Sequence, residues 1–151
     1  MNVTFKKCTE EDIPLLYKMT GELIEMHSSF GDYTMTEERL AELEKSGAVI
    51  SYMAYADDKP AGIINFFYKY TTFSGRKVLY LEDLYVRQEF RCDGIGAKFI
   101  ELLKKIAAEN DCEEIEWKCA SFNEKGKRFY DRMGAKHITE WDTYTISREQ
   151  F

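Results

Sequence analysis

A chain of 151 residues with 44% hydrophobic and 32% charged side chains has the balance of one globular domain, with no repeat, linker or low-complexity tract to interrupt it. Its net charge of -6 would repel the phosphates of a nucleic acid, and its apolar runs are too short to cross a bilayer, so neither a nucleic-acid nor a membrane partner is expected. The same charge mildly favours a cationic substrate.

In chain order, Val3 to Lys7 alternates as a strand, and Thr9 to Asp12 offers helix caps ahead of Ile13, Leu16, Leu23 and Ile24, with Pro14 tolerated near the start. Thr36 followed by Glu37, Glu38, Leu40 and Leu43, with Gly47 as a stop, predicts a second, shorter helix. Ala48 to Ala56 and Ala61 to Thr72 form a hairpin about the turn formers Asp57 to Pro60, and Val78 to Val86 follows as a third strand of the meander. That third strand carries Glu82 and Asp83 inside an otherwise apolar run.

Gly94 and Gly96 open a helix whose positions Ile95, Phe99, Leu102, Leu103 and Ile106 share one face. Glu113 to Ala120 is predicted as a strand, Glu124 to Met133 as a short helix stopped by Gly134, and Ile138 to Ser147 as a closing strand. The fold class is therefore α/β in the α+β sense, a mixed and mostly antiparallel sheet with helices packed on it.

Arg91-Cys92-Asp93-Gly94-Ile95-Gly96 joins a strand to a strong helix, so its main-chain N–H groups lie where anions bind, and two glycines permit close approach of a pyrophosphate. Gly-x-Gly alone is equally compatible with an ordinary turn. Phe99 replaces the third glycine of a dinucleotide-binding loop, and no Gly-Lys-Ser/Thr is present for a nucleotide-triphosphate loop.

The segment resembles the signature of the GCN5-related N-acetyltransferases: Arg or Gln, two residues, Gly, one residue, Gly or Ala. Leu81-Glu82-Asp83-Leu84-Tyr85-Val86 is similar to that family's acetyl-CoA strand, and Asn123, Phe129-Tyr130 and Met133-Gly134-Ala135 to its closing motif. Within the family, the Tyr-Leu-Glu-Asp phrase at 80 to 83 is most similar to the diamine and polyamine acetyltransferases. The resemblance implies acetyl-CoA as cosubstrate. Its pyrophosphate would rest on Arg91, Cys92, Asp93, Gly94, Ile95, Gly96 and Ala97, its pantetheine arm would pair with Leu84, Tyr85 and Val86, and Asn123 would lie beside it.

An alkylammonium near pKa 10.4 cannot attack a thioester until it loses a proton, and the resemblance implies Glu82 as that base, directly or through water. Tyr130 would be the acid for the departing thiolate, and N–H groups near Leu84 an oxyanion site. Taken alone, Glu82 could merely pair with a basic neighbour, and Tyr130 could be core. No histidine is predicted beside Cys92 or Cys119, so direct attack in a ternary complex is preferred to an acyl-enzyme, with packing as the role of both thiols.

Glu82, Asp83 and His27 are the expected acceptor contacts, but neighbouring strand residues face opposite ways, so only a local bulge would let both carboxylates meet one cation. Polyamine-type relatives add an acidic residue at the first helix end, where this chain has Met26-His27-Ser28, which favours short amines over long polyamines. A peptide amine acetyltransferase and a non-catalytic acetyl-CoA sensor are the rival readings. The four cysteines, Cys8, Cys92, Cys112 and Cys119, show no paired spacing, and the two histidines lie far apart, so free thiols, no metal and a cytoplasmic location are expected. The family implies a homodimer, to which Trp141, Tyr144 and Ile146 could contribute, although they fit a core equally well.

Overall fold

The structure, a computed structural model, describes residues 1–27 and 31–151. Contacts divide it into two compact units, Met1–Lys118 and Cys119–Phe151.

The first unit runs β1 (Val3–Lys7), α1 (Ile13–Met26), α2 (Glu37–Ser46), β2 (Ile50–Ala56), β3 (Lys59–Tyr70), β4 (Lys77–Val86), α3 (Ile95–Glu109) and β5 (Cys112–Trp117). The strands form one sheet in the order β1-β2-β3-β4-β5, antiparallel up to β4 and parallel between β4 and β5, the step that α3 bridges. The expected mixed, mostly antiparallel sheet is thus present. The hairpin turn is tighter than its composition suggests, because Asp57 and Asp58 both take left-handed backbone and Lys59 and Pro60 already belong to β3.

Asp12 sits just ahead of α1, accepting from the Thr9 N–H at 2.8 Å and pairing with Lys6 at 2.8 Å. Pro14 is accommodated in the first turn and Gly21 does not interrupt the helix. Thr36 caps α2 by accepting from the Arg39 N–H, and Gly47 ends it. Leu16, Met19 and Leu23 of α1 and Leu40 of α2 bury themselves with Met53, Ile63 and Tyr85, three residues that lie in register across β2, β3 and β4. Helix α3 buries Ile95, Phe99, Ile100, Leu103 and Ile106, and its Phe99 ring lies 5.1 Å from that of Phe5. Gly62 lets α3 and β4 come this close, since a Cβ there would stand 2.6 Å from the Tyr85 carbonyl oxygen and 3.0 Å from Phe99.

The second unit contains α4 (Glu124–Arg132), which Asn123 caps by accepting from the Gly126 N–H at 3.0 Å and which Gly134 follows in left-handed backbone. The strand expected over Ile138 to Ser147 is not formed. A strand exists only where a neighbour takes up its main-chain hydrogen bonds, and the ladder includes no residue beyond Trp117. The segment instead leaves Trp141, Tyr144 and Ile146 exposed. No helix among the described residues is long and apolar enough to cross a membrane.

Candidate functional site

The two carboxylates singled out from the sequence lie at a fault in the sheet. Phe66 pairs with Leu81 but the next residue back, Asn65, pairs with Asp83, so Glu82 is an extra residue with no partner on β3. This β-bulge breaks the alternation that would otherwise send Glu82 and Asp83 to opposite faces. It is the local irregularity that a shared cation requires. Glu82 is exposed, whereas Asp83 is half-buried and joins the face covered by α1 and α2, two residues along from Tyr85.

Asp83 accepts a hydrogen bond from Asn65 Nδ2 at 2.8 Å. Burial pushes its carboxyl above the usual carboxylate range and the neighbouring Glu82 charge adds to this, while Asn65 pulls the other way. The Tyr33 phenol also faces this charge, and burial with its neighbours pushes it up to about 12. Asn65 Oδ1 in turn accepts from Ser51 Oγ at 2.7 Å, and Ser51 Oγ contacts Glu44 Oε1 on α2.

At the same fault the sheet opens. Pairing between β4 and β5 ends at Leu81 with Trp117, so the run Glu82 to Val86, which includes Leu84, Tyr85 and Val86, continues beyond the β5 ladder. Tyr85 is buried in the α1 face and its hydroxyl donates to Glu22 at 3.3 Å. Such a strand edge fits an amide-bearing arm that adds itself as a further strand.

Beyond it, Arg91, Cys92, Asp93 and Gly94 are all exposed, and Cys92 and Gly94 have left-handed φ of 71° and 77°. The first helical bond of α3 runs from the Lys98 N–H to the Gly94 carbonyl, which leaves the N–H groups of Ile95, Gly96 and Ala97 outside the helical pattern. Left-handed residues leading into a helix start gather N–H groups in a way that fits a phosphate group. Cys92, expected to pack, does not do so; a left-handed residue at the loop tip turns its side chain to solvent. Arg91 is occupied within the loop, donating to the Val86 carbonyl at 2.9 Å and contacting Met26 Sδ.

His27 follows the last turn of α1, where its N–H bonds the Ile24 carbonyl. Ser28, the last residue of the departing Met26-His27-Ser28 stretch, lies outside the described residues. In the second unit, Asn123 Oδ1 is engaged as the α4 cap, and the Tyr130 ring packs 5.2 Å from Phe129. Burial raises the Tyr130 hydroxyl, with the Cys119 thiol adding to the shift, so it keeps its proton across the neutral range. Burial also raises Cys119 and drives Cys8 up to about 12, which leaves both as thiols.

Sequence reasoning passed over the supports of this site. Glu22 of α1 takes Arg87, just past β4, in a two-pronged pair at 2.8 and 3.0 Å, and Arg87 also donates to the Pro60 carbonyl. Ser51 and Asn65 are buried polar residues inside apolar strands, and that contrast was the signal available.

A model of the Acetyltransferase (GNAT) family matches residues 16–135, a stretch that runs through both units. The thialysine N-epsilon-acetyltransferase of Caenorhabditis elegans is 28% identical over 141 residues, covering 91% of this chain and 88% of the relative. That of Sus scrofa is 26% identical over 161 residues, covering 98% and 94%. Among solved structures, an integron cassette protein from the mobile metagenome of V. cholerae aligns with a TM-score of 0.82 at 27% identity, covering 99% of this chain and 95% of the other.

Proposed function

Because this chain belongs to the acetyltransferase (GNAT) family and is an acetyltransferase, we propose that it transfers acetyl from acetyl-CoA to the primary amine of a small cation, a short diamine or a lysine-like amino acid. One observation carries the choice of acceptor: the bulge that breaks the alternation of Glu82 and Asp83 where β4 outruns β5. Two adjacent carboxylates, one solvated and one half-buried, suit a substrate with two positive charges or one charge near the reacting amine.

Bound acetyl-CoA supplies a thioester open to a neutral amine. The N–H groups of the Arg91 to Ala97 loop would hold its phosphates, and the β4 edge from Leu84 to Val86 its pantetheine arm, with Asn123 alongside. Glu82, exposed and able to meet an ammonium, takes its proton directly or through a water, and attack follows within the ternary complex. Main-chain N–H groups near Leu84 are suited to charge developing on the thioester oxygen. Tyr130, kept protonated by burial, holds the proton for the departing sulfur. Asp83 binds the second ammonium, and His27 at the end of α1 is a lesser contact.

We also read the enzyme as a cytoplasmic homodimer: its four cysteines are free, and Trp141, Tyr144 and Ile146 leave an exposed apolar run in the second unit. Thiol release from acetyl-CoA, measured across diamines, lysine analogues, neutral amines and a lysine-containing peptide, tests the activity. Short cationic amines are expected to be the best acceptors. Turnover confined to the peptide would overturn the small-amine reading, and no thiol release with any amine would overturn acetyl transfer itself.

A further inference from the structure

Ser51, Asn65 and Asp83 are not scattered polar residues. They stand directly opposite one another across β2, β3 and β4, on the face that α1 and α2 cover, and Glu44 of α2 closes the row at its far end. Ser51 is wholly buried and Asn65 is 5% exposed, and among the described residues no buried side-chain nitrogen or oxygen lacks a hydrogen-bond partner.

With Asp83 charged and Asn65 oriented toward it by its nitrogen, counting hydrogens gives the row a polarity. Asn65 Nδ2 donates to Asp83 Oδ2 at 2.8 Å, so Asn65 presents its oxygen to Ser51 at 2.7 Å, and that oxygen can only accept. Ser51 has a single hydroxyl hydrogen, and this bond uses it. The remaining contact, Ser51 Oγ with Glu44 Oε1, is then a hydrogen bond only if Glu44 carries a proton. With both carboxyls charged, the one Ser51 hydrogen would face two acceptors in a buried place, which is costly.

We propose that Glu44, Ser51, Asn65 and Asp83 form a row that holds one proton, with Glu44 as its protonated end and Asp83 as its charged end aimed at a cationic acceptor. The inference rests on the reading of Asp83 as a cation contact. It makes Glu44, Ser51 and Asn65 positioning residues, none of which touches substrate. Burial acts on both ends of the row, and the hydrogen count is what separates them. Burial raises Glu44, against the pull of the Ser51 hydroxyl and N–H and of Lys7, and Cys8 faces it from the first strand's end. At the other end burial raises Asp83 as well, the Glu82 charge adds to this, Tyr33 faces it, and Asn65 is the donor that offsets them. Without a row of fixed direction, the Asn65 amide could turn its oxygen toward Asp83 and oppose the charge that a second ammonium needs.

Infrared difference spectra of the full chain at neutral pH test the proton directly. The carbonyl stretch of a protonated buried carboxyl is expected in the wild type, retained in Asp83→Asn and lost in Glu44→Gln. A band that persists in Glu44→Gln and vanishes in Asp83→Asn, or no band at all, overturns the proposal. Steady-state kinetics test the positioning. Ser51→Ala, which breaks the row, is expected to raise KM for a short diamine about tenfold while leaving KM for a monoamine of equal length and for acetyl-CoA unchanged. Glu44→Gln, which still donates to Ser51 but cannot ionise, keeps the wild-type diamine KM. If Glu44→Gln weakens diamines as much as Ser51→Ala does, the row is not a fixed donor chain and the proposal fails. If the wild type shows no preference for diamines, the acceptor reading falls instead, and the infrared band still decides where the proton lies.

Discussion

Glu82 and Asp83 adjoin in sequence but stand in different surroundings, and the different roles proposed for them rest on that difference. Glu82 is exposed and opposite no residue of β3, whereas Asp83 is drawn under α1 and α2 and fixed by Asn65. Glu82→Gln is therefore expected to depress turnover with every amine and to flatten the rise of rate with pH, since the substrate ammonium would lose its proton acceptor. A pH-rate series on the variant checks this. Tyr130→Phe is expected to lower turnover roughly a hundredfold to ten-thousandfold with acetyl-CoA affinity kept, read under conditions where chemistry limits the rate. Unchanged turnover would return Tyr130 to a packing role beside Phe129. Both residues are singled out in the sequence by the phrases around them. The bulge was not, because it depends on the register of β3 against β4, a non-local pairing that the β4 residues alone do not encode.

At the scale of elements, the helices were the most readable parts. Thr36 and Gly47 bound α2 through a cap and a left-handed stop, and the face of α3 follows helical spacing, although Ile100 is buried where Leu102 was expected and Leu102 is only half-buried. The final strand was misread because its aromatic and β-branched residues carry strand preference without supplying a partner. The Glu22–Arg87 pair, which ties α1 to the end of β4, was invisible because its members are 65 residues apart. It has a pH signature. The Arg87 guanidinium holds the Glu22 carboxyl below its usual value, so its contribution is fully present above about pH 4.3 and is lost as pH falls through the depressed folded value. Glu22→Gln should destabilise the protein at neutral pH by about 1 to 3 kcal/mol and show a shallower loss of stability on the acid side, measured by denaturant unfolding over pH. An acid limb as steep as the wild type's would mean that other carboxylates, such as Asp12 against Lys6, govern acid unfolding. At the start of α3, Gly96→Val should leave the protein folded but abolish its thermal stabilisation by acetyl-CoA, since a branched side chain would stand where the proposed site takes a phosphate.

For the molecule as a whole, the family match runs through both compact units, and the element sequence and the mostly antiparallel sheet follow what the residues led one to expect up to Trp117. The net charge of -6 agrees with a cationic acceptor but does not select one, because charge at that range carries no geometry. In the proposed reading, selection falls to the bulge and to Asp83. The most direct measurement is therefore the ratio of kcat/KM for a short diamine to that for a monoamine of equal length, in the wild type and in Asp83→Asn. A second ammonium held by a partly buried carboxylate should be favoured by about tenfold or more, so the wild-type ratio should exceed that of Asp83→Asn by this factor while monoamine turnover stays level. Equal loss for monoamine and diamine, or a preference of the wild type for neutral amines, would contradict the account.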